Sequence, residues 1–273
     1  MEENHCLNAS ILITNDDGVT SPGLKLLYES VKNIGRVEII APKTSRSACG
    51  HGMTLHKSIR ASRITLWGSV HAIAIDGLPT DAVYIALSHN RPDIVLSGIN
   101  LGDNTSLQSI LASSTIGAVI HAALNGVPGV AFSIEIRDEN ELHELSEEYL
   151  AFIKKLIRKL TESILCSSIP GYVDALSVNF PRRLRGKEVY IARPATLRFR
   201  QRAELVERND NEQYYRLIGA PTNPPPNSDA GLLLQGHVVI TPLCLEYIGQ
   251  CSERRLYWLA RALSSAIEAP VKI

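Results

Sequence analysis

Two neighbouring acids, Asp16 and Asp17, follow Ile11-Leu12-Ile13-Thr14-Asn15 and precede Gly18. Adjacent carboxylates repel each other, and a divalent cation relieves that repulsion while using both as ligands. The plainer alternative for the pair is a turn in which one Asp caps the next helix and the other faces water. Two more polar clusters follow in the chain. Lys43-Thr44-Ser45-Arg46-Ser47-Ala48-Cys49-Gly50-His51-Gly52 is a loop of hydroxyls, glycines, two cations and an imidazole. Asn100-Leu101-Gly102-Asp103-Asn104 is the other. Asp16, Asp17, Ser47 and Asn100 offer carboxylate, hydroxyl and amide oxygens, with Asn15, Asn104, Arg46 and His51 around them. Such hard donors suit Mg²⁺ or Mn²⁺, whereas zinc favours sulfur or several imidazoles. A site of this kind makes water a better nucleophile and offsets charge on phosphoryl oxygens.

The elements that position these groups follow from pattern. Ile11 to Thr14 is apolar and β-branched, hence a buried strand, and Gly18 to Pro22 opens a helix over about Gly23 to Asn33. Val37 to Ile40 is a second strand, so the chain starts as a βα unit of a parallel sheet. Met53 to Trp67 reads as a pair of extended segments, and Ala72 to Ile75 as a strand. Thr80 is the expected N-cap of a helix over Ala82 to His89, with Asp81 favoured in its first turn. Ile94 to Leu96 is a central strand turned by Ser97-Gly98. Ile110 to Leu124 is a helix with Ser113, Ser114 and Thr115 near its start, either an ordinary cap or a set of N–H groups for a phosphate. Val130 to Ile134 is a strand, and Glu141 to Leu165 one long amphipathic helix.

The character changes from Pro170. Strands are expected at Ala175 to Phe180, Glu188 to Ile191 and Val238 to Thr241, with an exposed hairpin over Leu197 to Arg216. Pro221 to Ser228 is a stiff loop, and Ser252 to Ile267 a closing helix. The three polar clusters all lie at C-terminal ends of core strands, where open α/β sheets hold their ligands. They therefore converge on one edge.

The totals exclude several classes. Lys plus Arg and Asp plus Glu are each 28 in 273 residues, so no long-range field draws in nucleic acid. Arg182, Arg183 and Arg185 form a basic turn without interleaved aromatics, and no stable nucleic-acid complex is expected. The five cysteines show neither CxxC spacing nor an even count. MEENHCLNAS has no basic start before an apolar core, and no apolar run reaches eighteen residues. A cytoplasmic protein without a membrane partner is expected. NDDG after the first strand is not a dinucleotide-binding fingerprint, and adjacent acids are not the DxDx(T/V) of aspartyl-phosphate enzymes.

ILITNDDG, APKTSRSACGHGMTLH, DGLPTDAV, VLSGINLGDN and the late VVITPL, in that order over about residues 10 to 245, closely resemble the SurE family of survival-protein nucleotidases. The resemblance implies an α/β fold with a Rossmann-like three-layer core and mostly parallel sheet at 10–180. It also implies a smaller oligomerisation extension at 181–273 with a projecting hairpin and C-terminal helix. It implies one divalent ion, Mg²⁺ or Mn²⁺, held by Asp16, Asp17, Ser47 and Asn100, and catalysis by Asp16, Asp17 and Asn100 through metal-activated water. Asn15, Asn104, Ser113, Ser114 and Thr115 would hold substrate phosphate. The implied substrates are nucleoside 5′- and 3′-monophosphates, and the implied assembly a homodimer or homotetramer. Phosphatase action on other phosphoesters or short polyphosphate, or nucleotide binding without turnover, are the alternatives. The family often writes histidine or tyrosine, then Ser-Gly-Thr, where this chain has Ala112-Ser113-Ser114-Thr115. Some members also place an arginine where Leu101 follows Asn100.

Overall fold

The computed structural model describes residues 9–169, 171, 173–209 and 211–245. The chain opens with strand β1 (Ser10–Thr14), helix α1 (Pro22–Val31) and strand β2 (Arg36–Pro42). A hairpin of β3 (Ala61–Leu66) and β4 (Val70–Ile75) precedes α2 (Pro79–His89) and β5 (Ile94–Leu101). Helices α3 (Ser106–Ala112) and α4 (Ser114–Leu124) lead to β6 (Gly129–Ile134). Then come α5 (Glu139–His143), α6 (Glu147–Ser167), β7 (Ala175–Phe180) and β8 (Val189–Ile191). A long hairpin, β9 (Phe199–Arg208) and β10 (Gln213–Pro221), is followed by α7 (Asp229–Leu234) and β11 (Val238–Leu243).

Nine strands form one sheet in the order β3-β4-β2-β1-β5-β6-β7-β11-β8. The six from β4 to β7 run parallel, β3 is antiparallel to β4, and β11 is antiparallel to β7. The chain leaves β1 on one side through β2 and β4, then returns on the other through β5. That reversal opens a crevice at the C-terminal ends of β1 and β5. Strand alternation builds a core on each face. Ile11 and Ile13 of β1 join a cluster with Leu24 of α1 and Ile153 of α6, while Leu12 joins Ala82 of α2 and Ile116 of α4 on the other. This is the expected three-layer α/β fold.

Several boundaries differ from expectation. β5 does not turn at Gly98 but runs on to Leu101, with a register shift against β6 between Ser97 and Asn100. Gly98 is required because a Cβ there would lie 2.3 Å from the Phe132 carbonyl oxygen, at φ +128°. The glycine marks a close approach rather than the end of a strand. The helix expected over Ile110 to Leu124 is two helices bent by 75° at Ser113, whose backbone is extended (φ −80°, ψ 125°). Likewise Glu141 to Leu165 is divided between α5 and α6, and the Ser146 hydroxyl caps the second by accepting from Tyr149 N. Leu78, not Thr80, is the N-cap of α2. Of the pair of extended segments expected over Met53 to Trp67, the second alone is a strand, and it pairs with β4.

The main sheet continues past residue 180, since β8 and β11 are its last two strands. Among the described residues, only the β9–β10 hairpin forms a separate two-stranded sheet. The helix expected over Ser252 to Ile267 lies outside the described residues.

Candidate active site

β1 delivers Asn15, Asp16 and Asp17 to the crevice mouth, and Asp16 is 3 % exposed. Its Oδ1 accepts from Thr115 Oγ1 at 2.6 Å, which ties the acid to the first turn of α4. Its backbone oxygen accepts from Arg46 N at 2.7 Å, which ties the same residue to the 43–52 loop. Asp17 Oδ2 accepts from Leu101 N at 3.2 Å, at the end of β5. Asn100 Nδ2 donates to the Gly102 carbonyl at 2.6 Å, which fixes the amide and leaves Oδ1 as its acceptor atom. The hydrogen bonds thus join β1, β5, α4 and the loop into one constellation.

The 43–52 loop is fastened to the α3–α4 bend. Ser114 Oγ, 1 % exposed as part of its residue, donates to the Arg46 carbonyl and accepts from Cys49 N, both at 3.1 Å. Gly50 N donates to Ala112 O at 2.9 Å, and His51 Nε2 donates to Ile110 O at 3.1 Å. Gly117 lets α4 sit this close: a Cβ there would fall 2.9 Å from Gly50 O. Ser47 rides on this loop with its Oγ 3.0 Å from Ser45 Oγ. Arg46 turns away from the acids and pairs with Asp76 at 2.9 Å.

The remaining expected residues take internal partners. Ser113 Oγ caps α4 by accepting from Ile116 N at 3.2 Å. Asn15 Nδ2 donates to Gly18 O at 3.0 Å, while its buried Oδ1 accepts no hydrogen bond from the described residues. Asn104 Nδ2 donates to Ser133 Oγ at 2.8 Å, and Asn104 N to Asn179 Oδ1 at 2.8 Å. These contacts carry Asn104 toward the ends of β6 and β7. The side-chain donors of Asn15, Asn104 and Ser114 are therefore engaged within the protein. Ser133 and Asn179 are absent from the sequence-based candidates, although each is a polar residue near the C-terminal end of a mostly apolar strand.

Burial pushes the Asp16 carboxyl above its ordinary range, against the lowering effect of its Thr115 bond. Asp17 is pushed up to about 6, first by burial and then by the charge of Asp16. No lysine or arginine among the described residues pairs with either acid. Among those residues no three His, Cys, Asp or Glu side chains gather as a ligand set. A cation here would rest on two carboxylates completed by hydroxyl and amide oxygens. Two acids drawn out of water without a lysine or arginine partner among the described residues, with the Asn100 amide on the same edge, fit a hard divalent ion.

Comparison with known proteins agrees with this geometry. The profile of the family described as "Survival protein SurE" matches residues 11–222. A protein of Hyperthermus butylicus named 5'-nucleotidase SurE is 44% identical over 241 residues, covering 87% of this chain and 85% of its own. One of Pyrobaculum arsenaticum with the same name is 43% identical over 250 residues, covering 90% and 93%. The crystal structure of the SurE protein from Aquifex aeolicus superposes with a TM-score of 0.73 at 26% identity, covering 93% of this chain and 99% of that one. With its acids, its β5 loop and its α4 start gathered on one sheet edge, this chain belongs to the SurE family.

Proposed function

We propose that the chain is a phosphoric monoester hydrolase that releases phosphate from nucleoside 5′-monophosphates, and from 3′-monophosphates, with a divalent metal ion. The nucleotidase names of its relatives support the reaction class. The observation that carries the metal is the buried Asp16–Asp17 pair without a protein cation. Asp16, Asp17, Ser47 and Asn100 would hold Mg²⁺ or Mn²⁺. Such an ion supplies Lewis-acid stabilisation of phosphoryl oxygens and an acidified water.

The chain's own residues do the rest. Asp17, less buried than Asp16, takes the proton of the attacking water as its oxygen bonds to phosphorus. The phosphorus–ester oxygen bond breaks, and the departing nucleoside oxygen takes a proton from solvent. Thr115 holds Asp16 in one rotamer, and Gly102 fixes the Asn100 amide. Assembly as a homodimer or homotetramer is part of the same proposal, supported by the exposed Leu205, Tyr215 and Leu217 on the β9–β10 hairpin.

Phosphate release from AMP, GMP, CMP, UMP and 3′-AMP, measured with EDTA, Mg²⁺ or Mn²⁺, tests the proposal. Release only with metal is expected. Metal-independent release removes the ion from the mechanism, and nucleotide binding without release replaces catalysis by a binding role.

A further inference from the structure

A cleft of about 610 Å³ lies on the same sheet edge as the acids, displaced toward β7. Its floor is Gly102 and Asp103 after β5, Glu135 after β6 and Arg182 after β7. The opening is the size of a small-ligand site. Two neighbouring strands are about 4.8 Å apart, so the centre of the cleft lies roughly 10 Å along the edge from Asp16 and Asp17.

Its charge is one-sided. Arg137, Arg182, Arg183, Arg185 and Arg198 line it against Asp103, Glu135 and Glu141, an excess of two cations. Arg182 is held by Glu141 at 2.9 Å and Glu144 at 3.4 Å. Arg183 and Arg185 form no ion pair among the described residues. Arg198 is the informative member. Its side chain is 8 % exposed and its guanidinium lies 5.0 Å over the Phe199 ring. One end reaches Glu135 at 3.2 Å, but its Nε stands 3.7 Å from Asp103 and makes no hydrogen bond with any described residue. A buried guanidinium N–H that faces a carboxylate only at 3.7 Å is poorly satisfied, which is costly.

We infer that this arginine-lined cleft is a second anion site for a phosphate-class group, distinct from the Asp16–Asp17 edge. Guanidinium groups match phosphate oxygens with paired N–H bonds. The phosphate has two possible sources, free inorganic phosphate or a second phosphate on a nucleotide whose first is being cleaved. The second source rests on the proposed nucleotidase activity, whereas binding of free phosphate does not.

The test is a calorimetric titration of the full chain with inorganic phosphate at low salt, with EDTA present. Without metal, the two acids repel phosphate, so the titration reads the cleft. The site predicts binding that weakens at least tenfold in Arg183→Gln/Arg185→Gln, weakens less in Arg183→Lys/Arg185→Lys, where charge stays but the paired N–H bonds are lost, and is unchanged in Asp17→Asn. No binding by the native chain, or equal binding by the Gln variant, overturns it. Turnover separates the sources. If the kcat/KM ratio of adenosine 3′,5′-bisphosphate to 5′-AMP falls at least fivefold in the Gln variant, with 5′-AMP within twofold, the second phosphate of substrate is the ligand. An unchanged ratio with weakened titration assigns the site to free phosphate. A parallel loss of 5′-AMP turnover places the arginines in the catalytic pocket and overturns a separate site. Should no nucleotide be cleaved by the native chain, the nucleotidase proposal fails while the titration still decides this one.

Discussion

The two ends of the parallel strands treat their acids in opposite ways. At the N-terminal end, exposed Asp93 accepts from Ser10 N at 2.8 Å, and Glu38 meets His89 at 3.0 Å. Both keep water and a partner. At the C-terminal end, Asp16 and Asp17 are drawn inward beside each other with no cation. Elsewhere the fold buries acids in a third way. Asp229, fully buried, accepts from the backbone N–H groups of Ser106, Ala195 and Ala230 at 2.6–2.8 Å, and Asp81 from those of Thr54 and Leu78 at 2.8 Å. A buried carboxylate surrounded by N–H donors is a structural clasp. Asp16 and Asp17 differ in facing each other's charge, with the Thr115 hydroxyl on one and Leu101 N on the other, a setting suited to a group from outside.

That contrast can be broken at three levels. The largest effect is expected from Asp17→Asn, which should lower phosphate release roughly 10²–10⁴-fold while Asp93→Asn stays within twofold. Initial rates of both variants, on protein of equal melting temperature, check this. Asp229→Ala comes next and should act on stability. Three buried N–H groups lose their acceptor, at about 1 kcal/mol each or more, which lowers the melting temperature by roughly 6 °C or more. A variant melting like the native chain would show that Asp229 is no clasp. Thr115→Val should be smallest. It removes the only side-chain hydrogen bond to Asp16 found among the described residues. Mn²⁺ affinity by calorimetry should drop about tenfold, as for other groups that orient a ligand, with a modest loss of stability. Unchanged affinity would separate Thr115 from the site.

Much of this was legible in the chain itself. ILIT before NDDG specifies a buried strand ending in acids, because β-branched residues fit a pleated interior and two acids do not. The convergence of three clusters followed from strand polarity alone. What escaped reading depends on distant partners. Gly98 looks like a turn in one dimension, and only the Phe132 carbonyl on the neighbouring strand gives its real reason. The break at Ser113 carries no glycine or proline, and its serine cap is visible only once the backbone is seen extended. Asp229 draws no reading in the sequence, because two of its three backbone donors come from segments 34 and 123 residues away. Ser114 stands at a helix start in the sequence, and only the fold shows that its two bonds brace the 43–52 loop. The arginines of the cleft were seen as a basic turn, since Arg198 joins them only through the fold.

The bend between α3 and α4 also has a meaning for synthesis. β1 emerges from the ribosome first, but its acids gain Leu101 N only when β5 is complete, and Thr115 and the Gly117 contact later still. No nascent chain ending before Gly117 contains all the contacts that seat the loop against Asp16. Contacts so far apart in sequence form slowly because long loops must close first. For much of its synthesis the polypeptide therefore carries its two acids without an organised pocket around them, and the shielding of that pair from water becomes a timestamp of how far folding has advanced.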